Sequence, residues 1–266
     1  MNKGLLKVEN LTMKFGGLTA IDNLSFSANN NEITSIIGPN GAGKTTVFNC
    51  LTGFYKPTEG EMYLSKNDET IALKKFTDYK IAQQAKVART FQNIRLFPAM
   101  SVLENLLVAQ HNELMVASGY SIYGRLNLKR YKDKEREAIN KAKYWLDIIG
   151  LTNRADDNAG DLPYGDQRKL EIVRAMCIEP KLLCLDEPAA GLNPKESSEL
   201  NKLLEFIKND KKTGILLIEH DMSVVMGISD HVVVLNYGKK IFQGSPIETR
   251  NSKAVIEAYL GVDEWC

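Results

Sequence analysis

The sequence has few cysteines, no long apolar stretch and no excess of either charge. Its four cysteines, among 266 residues, form no Cys-x-x-Cys pair and lack histidines at ligand spacing. This pattern argues against a disulfide framework or a zinc site and favours buried, reduced thiols. Lys and Arg number 34 against 33 acidic residues, so no overall field attracts nucleic acid or an anionic membrane. We therefore expect no nucleic-acid partner.

Apolar residues are present in ordinary proportion but are never concentrated in one long run. No run approaches the roughly 18 residues that a membrane-spanning helix needs, and residues 1–7 lack the apolar core of a signal peptide. We expect a chain without a transmembrane segment that stays in the cytosol. Its 44% hydrophobic and 25% charged residues predict a globular fold with a sizeable core.

A glycine-rich motif, GPNGAGKT at 38–45, fits the phosphate-loop pattern G-x-x-x-x-G-K-[ST]. It lies between a predicted strand at 32–37 and a predicted helix at 46–52. Because glycines let the backbone approach phosphates, and helix N-termini attract them, the motif predicts a nucleoside triphosphate ligand. Lys44 should reach the β- and γ-phosphates, and the Thr45 hydroxyl should hold Mg²⁺. The expected nucleotide contacts are Gly38, Pro39, Asn40, Gly41, Ala42, Gly43, Lys44, Thr45 and Thr46.

Acidic residues follow two short apolar runs further along the chain. The run at 182–185 is followed by Asp186 and Glu187, and the run at 215–218 by Glu219 and His220. Parallel strands deliver such residues to one edge of a sheet. We expect Asp186 to hold Mg²⁺ through water and Glu187 to polarise the water that attacks the γ-phosphate. His220 is expected to contact the γ-phosphate or to hold Glu187.

The remaining chain alternates between strand and helix patterns. Residues 5–35 predict an antiparallel layer, and the pattern becomes helical from about residue 100, beginning with a capping box at Ser101 and Glu104. Four residues fall on one apolar face of a second helix: Ala138, Ala142, Trp145 and Ile149. Gln92 precedes this helical part, where we expect it to sense Mg²⁺ and to transmit that signal.

The stretch LPYGDQRK at 162–169 resembles the signature motif of ATP-binding cassette (ABC) proteins. The resemblance extends over nearly the whole chain, because GPNGAGKT, TFQ, LCLDEP, AGLNP and IEHDM occur in the family's order. It implies an α/β fold, a phosphate-loop NTPase core (ABC ATPase) with an antiparallel β layer and an inserted α-helical subdomain. We expect one ABC ATPase domain over 1–266, with the nucleotide-binding core at 1–92 and 166–266 and the helical signature subdomain at 93–165.

The resemblance also implies that two cassettes close head to tail, so that the signature of one completes the nucleotide site of the other. Tyr164, Gly165 and Asp166 would then contact nucleotide, Phe15 would stack on adenine, and Asn193 would lie at the dimer seam. Three signature positions depart from the usual family pattern. Pro163 replaces a serine, Tyr164 a small residue and Asp166 a glutamine. Gly165 and the helix end must then contribute more of the γ-phosphate recognition.

Several segments resemble the ATP-binding subunit of high-affinity branched-chain amino acid importers, among them KFGGL at 14–18, DEPAAGLNP at 186–194 and VIEAYLG at 255–261. This resemblance implies an ATPase that powers import by ATP-driven dimerisation. Its partners would be an identical or different second cassette, integral-membrane permeases and, indirectly, an extracytoplasmic solute-binding protein. The chain would lie on the cytoplasmic face of the membrane, held there by the permease. Cassettes for urea, short amides, other amino acids or lipopolysaccharide export share these features and stay as alternatives.

Two other classes of function fit the sequence less well. A soluble ABC ATPase that acts on ribosomes or DNA commonly carries two cassettes or a long coiled-coil insertion, and this chain shows neither. A small-molecule phosphotransferase would need lid arginines rather than a signature helix.

Two surfaces are open to two interpretations each. The apolar residues at 94–100, namely Ile94, Leu96, Phe97, Pro98 and Met100, either receive a permease or pack internally. The segment at 112–136, rich in basic residues and tyrosine, either contacts lipid headgroups or a permease loop, or is a solvated insertion.

Overall fold

The computed structural model describes residues 4–66, 69–76, 80–111, 115 and 129–260. These residues divide into two compact units. The first comprises the described residues of Met1–Gln92 and Pro180–Cys266, and the second those of Asn93–Glu179.

The first unit contains an antiparallel sheet with the strand order β2-β1-β4-β5. Its strands are β1 (Leu6–Phe15), β2 (Leu18–Ala28), β4 (Glu59–Lys66) and β5 (Glu69–Ala72). Strands β1 and β2 pair around a tight turn, in which Leu18 lies opposite Phe15. This sheet confirms the expected antiparallel layer.

A second, six-stranded sheet of the same unit has the order β10-β9-β3-β8-β7-β6. Strands β9, β3, β8, β7 and β6 run parallel, and β10 pairs antiparallel with β9. The strands are β3 (Ile33–Ile37), β6 (Val87–Arg89), β7 (Leu182–Asp186), β8 (Gly214–Ile218), β9 (His231–Asn236) and β10 (Lys239–Gly244). Strands β3, β7 and β8 are buried along their whole length, as their mainly apolar sequences predict, although β3 also buries Thr34 and Ser35.

The main apolar cluster of this unit joins the two sheets. Leu6, Leu11 and Ile21 of the antiparallel sheet belong to one buried cluster with Ile36 and Leu216 of the parallel sheet. The unit contains the α-helices α1 (Lys44–Leu51), α5 (Pro194–Asp210), α6 (Met222–Ile228), α7 (Pro246–Asn251) and α8 (Lys253–Leu260), with a 3₁₀ helix at Leu73–Lys75 and a π-helix at Ile81–Ala85.

Helices dominate the second unit, which comprises α2 (Val102–Ala109), α3 (Lys129–Ile148) and α4 (Tyr164–Met176). The capping box predicted at Ser101 and Glu104 opens α2. The predicted apolar face, formed by α3 and the residue just after it, is buried, since its four members are at most 7% exposed: Ala138, Ala142, Trp145 and Ile149. The predicted helical pattern is therefore confirmed here.

The expected fold class is confirmed, but one boundary differs from the expectation. The chain returns to the first unit at Pro180 rather than at 166, because α4 packs against α2 within the second unit. Strand β6 was not expected. Within the segment at 112–136, residues 112–114 and 116–128 lie outside the described residues, and 129–136 form the start of α3.

Candidate nucleotide site

The phosphate loop follows β3 directly, and two of its glycines have no substitute. Gly38 has φ +150°, and a Cβ there would collide with the Leu235 carbonyl oxygen. Gly43 has φ +97°, and a Cβ there would lie 2.6 Å from the Ala20 carbonyl oxygen. Helix α1 begins at the next residue, Lys44, two residues before the expected start at 46, so the loop leads directly into a helix N-terminus.

Lys44 is buried and folds back on the loop that precedes it. Its Nζ donates hydrogen bonds to the carbonyl oxygens of Gly38, at 2.7 Å, and Pro39, at 3.0 Å. Burial lowers the pKa of Lys44, although the nearby Glu187 and Asp186 oppose that shift. Thr45 is exposed on the first turn of α1 and Thr46 is half-buried. The ammonium group is thus held at the loop in the vicinity of both strand-end carboxylates.

The segments that follow β6, β7 and β8 bring Gln92, Glu187 and His220 into contact. His220 Nε2 lies 2.7 Å from Glu187 Oε1, and Gln92 Nε2 donates to Glu187 Oε2 at 2.8 Å. Both oxygens of the Glu187 carboxylate are therefore held by side chains. Glu187 also has φ +49°, an uncommon backbone conformation for a residue with a side chain. The structure thus brings together three of the four predicted catalytic residues, with His220 and Gln92 both contacting the Glu187 carboxylate.

Asp186 is paired with an arginine that the sequence patterns did not reveal. Arg89, the last residue of β6, donates from Nη2 to Asp186 Oδ2 at 2.8 Å. Its other terminal nitrogen donates to Asn49 Oδ1 of α1 at 2.6 Å. Arg89 stands three residues before Gln92, but β6 is only three residues long, and no motif places it beside Asp186.

Phe15 ends β1 and is exposed. Its ring meets the ring of Tyr55 edge to face, with 5.1 Å between centroids. An aromatic surface is therefore present on the first unit at the residue expected to stack on adenine.

Glu219 is a second residue that motif reasoning did not single out. Its buried carboxylate accepts hydrogen bonds from the backbone N–H of Ala189, at 2.7 Å, and of His220, at 3.2 Å. It thereby connects the end of β8 to the loop that follows Glu187. Asn193, further along that loop, caps α5 by accepting from Lys195 N and Glu196 N, both at 3.0 Å.

The signature residues lie at the start of α4 in the second unit, and we describe them within that unit alone. Pro163 occupies the N-cap and supplies no side-chain hydrogen bond. Tyr164 is 43% exposed, and Gly165 and Asp166 complete the first turn. Asp166 forms an ion pair of 2.9 Å with Lys169, so its charge is compensated within the helix. The ammonium group of Lys169 therefore partly offsets the negative potential that Asp166 adds at the start of α4.

The segment that follows Gln92 presents apolar side chains at its surface. Phe97 is 47% exposed and Met100 37% exposed, whereas Ile94 and Leu96 are half-buried. Asn105 of α2 holds the backbone of this segment, accepting from Phe97 N at 2.9 Å and donating to Phe97 O at 3.0 Å. Phe97 and Met100 thus leave an apolar surface, whereas Ile94 and Leu96 are partly covered.

Comparison with known proteins identifies the family. Residues 21–190 match the family model described as ABC transporter, so the chain belongs to this family. It is 51% identical over 261 residues to the high-affinity branched-chain amino acid transport ATP-binding protein LivG of Salmonella typhimurium, covering 98% of this chain and 99% of LivG. It is 47% identical over 261 residues to the corresponding protein BraF of Pseudomonas aeruginosa, with the same coverage.

Solved structures give the same result for the fold. The ADP conformation of MJ1267, an ATP-binding cassette of an ABC transporter, superposes with a TM-score of 0.80 at 33% identity and covers 97% of this chain and 99% of that one. The predicted resemblance to ABC ATPases and to branched-chain amino acid transport subunits is confirmed. The part of the chain that the structure describes contains no helix that is both long and apolar enough to cross a membrane.

Proposed function

We propose that this chain is the ATP-hydrolysing subunit that powers membrane import of branched-chain amino acids. The observation that carries the catalytic part is the Glu187 carboxylate, held between Gln92 and His220 at the strand edge beside the phosphate loop. The substrate is proposed from the names of relatives about half identical over nearly their whole length.

Each residue of the site has a chemical task in this proposal. The phosphate loop and Lys44 bind the triphosphate, and Glu187 accepts a proton from the attacking water. His220 orients Glu187 through the contact to Oε1, and Gln92 does so through Oε2. Gln92 would also act as the sensor, because its amide oxygen could contact Mg²⁺ if its bond to Glu187 were exchanged. Phe15 provides the adenine platform.

The oxygen donors present suit Mg²⁺, which prefers carboxylate, hydroxyl and phosphate oxygens. Thr45 would supply a hydroxyl, and Asp186 would act through water. The Arg89 ion pair uses only Oδ2 of Asp186, which leaves the role of holding a metal-bound water to Oδ1. When bound, Mg²⁺ would supply positive charge to offset the negative charge that develops on the phosphates during transfer.

The signature turn would act on a second cassette. Tyr164, Gly165 and Asp166 start α4, and a helix start with no capping side chain offers its N–H groups to an anion. We propose that these groups meet the γ-phosphate held by the partner cassette, and that Asn193 lies at the seam. The partners would be a second ABC subunit, permeases that contact the exposed Phe97 and Met100, and an extracytoplasmic binding protein. The chain would sit at the cytoplasmic face of the membrane.

Glu187→Gln tests the catalytic assignment. Loss of a general base lowers turnover by about 10²- to 10⁴-fold, while ATP binding and cassette dimerisation persist. Phosphate release and the dimer fraction would be measured with the matching second subunit and permeases. Glu205→Gln, at an exposed position of α5, is the control. Unchanged turnover in Glu187→Gln would remove Glu187 from the catalytic role.

The transport assignment is tested by gentle purification from native membranes followed by mass spectrometry. Permeases, a second cassette and an amino-acid-binding protein are the expected companions. A binding protein for urea, amides or another solute would correct the substrate. An export assembly would reverse the direction, and recovery without a permease would support a soluble ATPase.

A further inference from the structure

Arg89 is the most heavily engaged side chain of the site to which the proposed mechanism gives no task. It is 7% exposed, and its partner Asp186 is 6% exposed. One terminal nitrogen serves Asp186, and the other serves Asn49 at 2.6 Å and Thr52 at 3.4 Å. The guanidinium therefore bridges β7 and α1, the two elements from which the Mg²⁺ ligands are proposed to come.

Three aromatic rings surround the same guanidinium. Its carbon lies 5.0 Å from the ring centroid of Phe91 and 5.7 Å from those of Phe48 and Phe54. Phe48 belongs to α1, and Phe91 directly precedes Gln92. Arginine suits such a position because its planar cation stacks on rings while its two ends donate separately. The rings hold the cation in place in an environment with little water.

Arg89 Nε has no hydrogen-bond partner within the described part of the chain, although it is buried. Only the two terminal nitrogens of the group are thus matched to acceptors. If Arg89 only stabilised the fold, we would expect all of its buried N–H groups to be hydrogen-bonded. The donors that are satisfied are the ones that reach Asp186 and α1.

We propose that Arg89 is a positioning residue for the metal site, which fixes the Asp186 carboxylate through Oδ2 so that Oδ1 faces a metal-bound water. This inference rests on the proposed Mg²⁺-nucleotide site. In this role, Arg89 sets the distance and orientation between Asp186 and Thr45. These two residues lie on the two elements that the guanidinium joins. Residues that orient metal ligands are typically worth 10- to 100-fold in metal affinity.

The test compares the affinity of the full chain for a non-hydrolysable β,γ-imido ATP analogue with Mg²⁺ and with EDTA. The dissociation constant with EDTA divided by that with Mg²⁺ isolates the metal-dependent part of binding. A larger ratio means that Mg²⁺ strengthens binding more. We expect Arg89→Met to lower this ratio by about 10- to 100-fold while metal-free binding stays unchanged. A purely structural role would weaken both affinities together or neither.

Two further variants sharpen the result. Arg89→Lys retains the charge but has a single point of donation, which cannot serve Asn49 and Asp186 together, so its ratio should lie between those of the wild type and Arg89→Met. Lys208→Met is the matched control, because it breaks the ion pair with Asp230 at the opposite end of β3 and should leave the ratio unchanged.

Each outcome has a definite meaning. A wild-type protein whose binding does not depend on Mg²⁺ would remove the proposed metal site itself. A Mg²⁺-dependent wild type with the same ratio in Arg89→Met would overturn the role of Arg89 alone. If Arg89→Met does not fold, the ratio measured for Arg89→Lys tests the proposal instead. A wild-type ratio in Arg89→Lys would show that the forked contact of the guanidinium is not needed.

Discussion

Arg168 and Glu171 form an ion pair of 2.9 Å inside α4, with their side chains 0% and 2% exposed. Glu171 also accepts the backbone N–H of Arg95 at 2.9 Å. Arg168 donates to the Tyr164 hydroxyl at 3.2 Å. One buried pair therefore links the segment after Gln92 with the signature turn, both within the second unit.

Breaking this pair should destabilise the second unit. Burial raises the pKa of Glu171, although Arg95 N–H and the charges of Arg168 and Arg174 act against that shift. Arg168→Met leaves this carboxylate buried without its hydrogen-bonded cation, and removing one partner of such a pair costs about 3–5 kcal/mol. We expect the free energy of unfolding, measured in urea, to fall by this amount.

Arg154→Met is the control for that measurement. It breaks the exposed pair between Arg154 and Asp157, which also spans three residues, at 2.7 Å. Exposed pairs contribute about 1 kcal/mol or less, so the control should change little. Equal losses in both variants would show that burial does not set the importance of the Arg168 pair.

Lys44 gives a prediction that separates binding from stability. A ligand at 100 times its dissociation constant stabilises a protein by about 2.7 kcal/mol, and wild type should show this gain with ATP. Lys44→Met should lose the gain at the same ATP concentration. Its nucleotide-free stability should change by about 1 kcal/mol or less, because the burial that lowers the pKa of Lys44 offsets its hydrogen bonds to Gly38 and Pro39.

Thermal unfolding with and without ATP measures both quantities. Lys202→Met, at an exposed position of α5, should retain the full ATP-dependent shift. If Lys44→Met retained it as well, the lysine would not contact the phosphates.

Local patterns predicted the parts of the site that depend on neighbours in the chain. The phosphate loop is specified by glycines whose positive φ values and close contacts admit no side chain, as at Gly38 and Gly43. Apolar strands ending in polar residues placed Glu187 and His220 at one edge of the parallel sheet. Both signals are visible in short stretches of sequence.

The missed residues are buried charges whose partners lie far along the chain. Arg89 is 97 residues from Asp186, and Glu219 is 30 residues from Ala189. In the sequence, Arg89 is one basic residue among many. Its importance arises only when β6 pairs with β7 and sets the guanidinium beside the carboxylate. The β6–β7 pairing involves only three positions of each strand, which is too short a stretch to be recognised from a strand pattern in the sequence.

Glu219 stabilises the loop after Glu187 through its bond to Ala189 N, yet its own charge is unfavourably placed. Burial raises the pKa of Glu219, and the charge of Glu187 adds to the shift, while backbone N–H groups of Ala189, His220 and Asp221 oppose it. Between the ordinary value of 4.5 and the raised pKa, the folded protein binds more protons than the unfolded chain. The contribution of this group to stability is therefore present at low pH and is lost as pH rises through that window.

Glu219→Gln removes the titration and keeps an oxygen for Ala189 N. We expect the unfolding free energy of the variant, relative to wild type, to rise with pH above 4.5 and then to level off, by about 1.4 kcal/mol per unit of raised pKa. Glu248→Gln is the opposite control, because hydrogen bonds from Ser245 lower the pKa of Glu248, so the relative stability of that variant should fall as pH rises. Urea unfolding over a series of pH values measures both slopes. A relative stability of Glu219→Gln that does not change with pH would show that Glu219 titrates alike in the folded and unfolded chains.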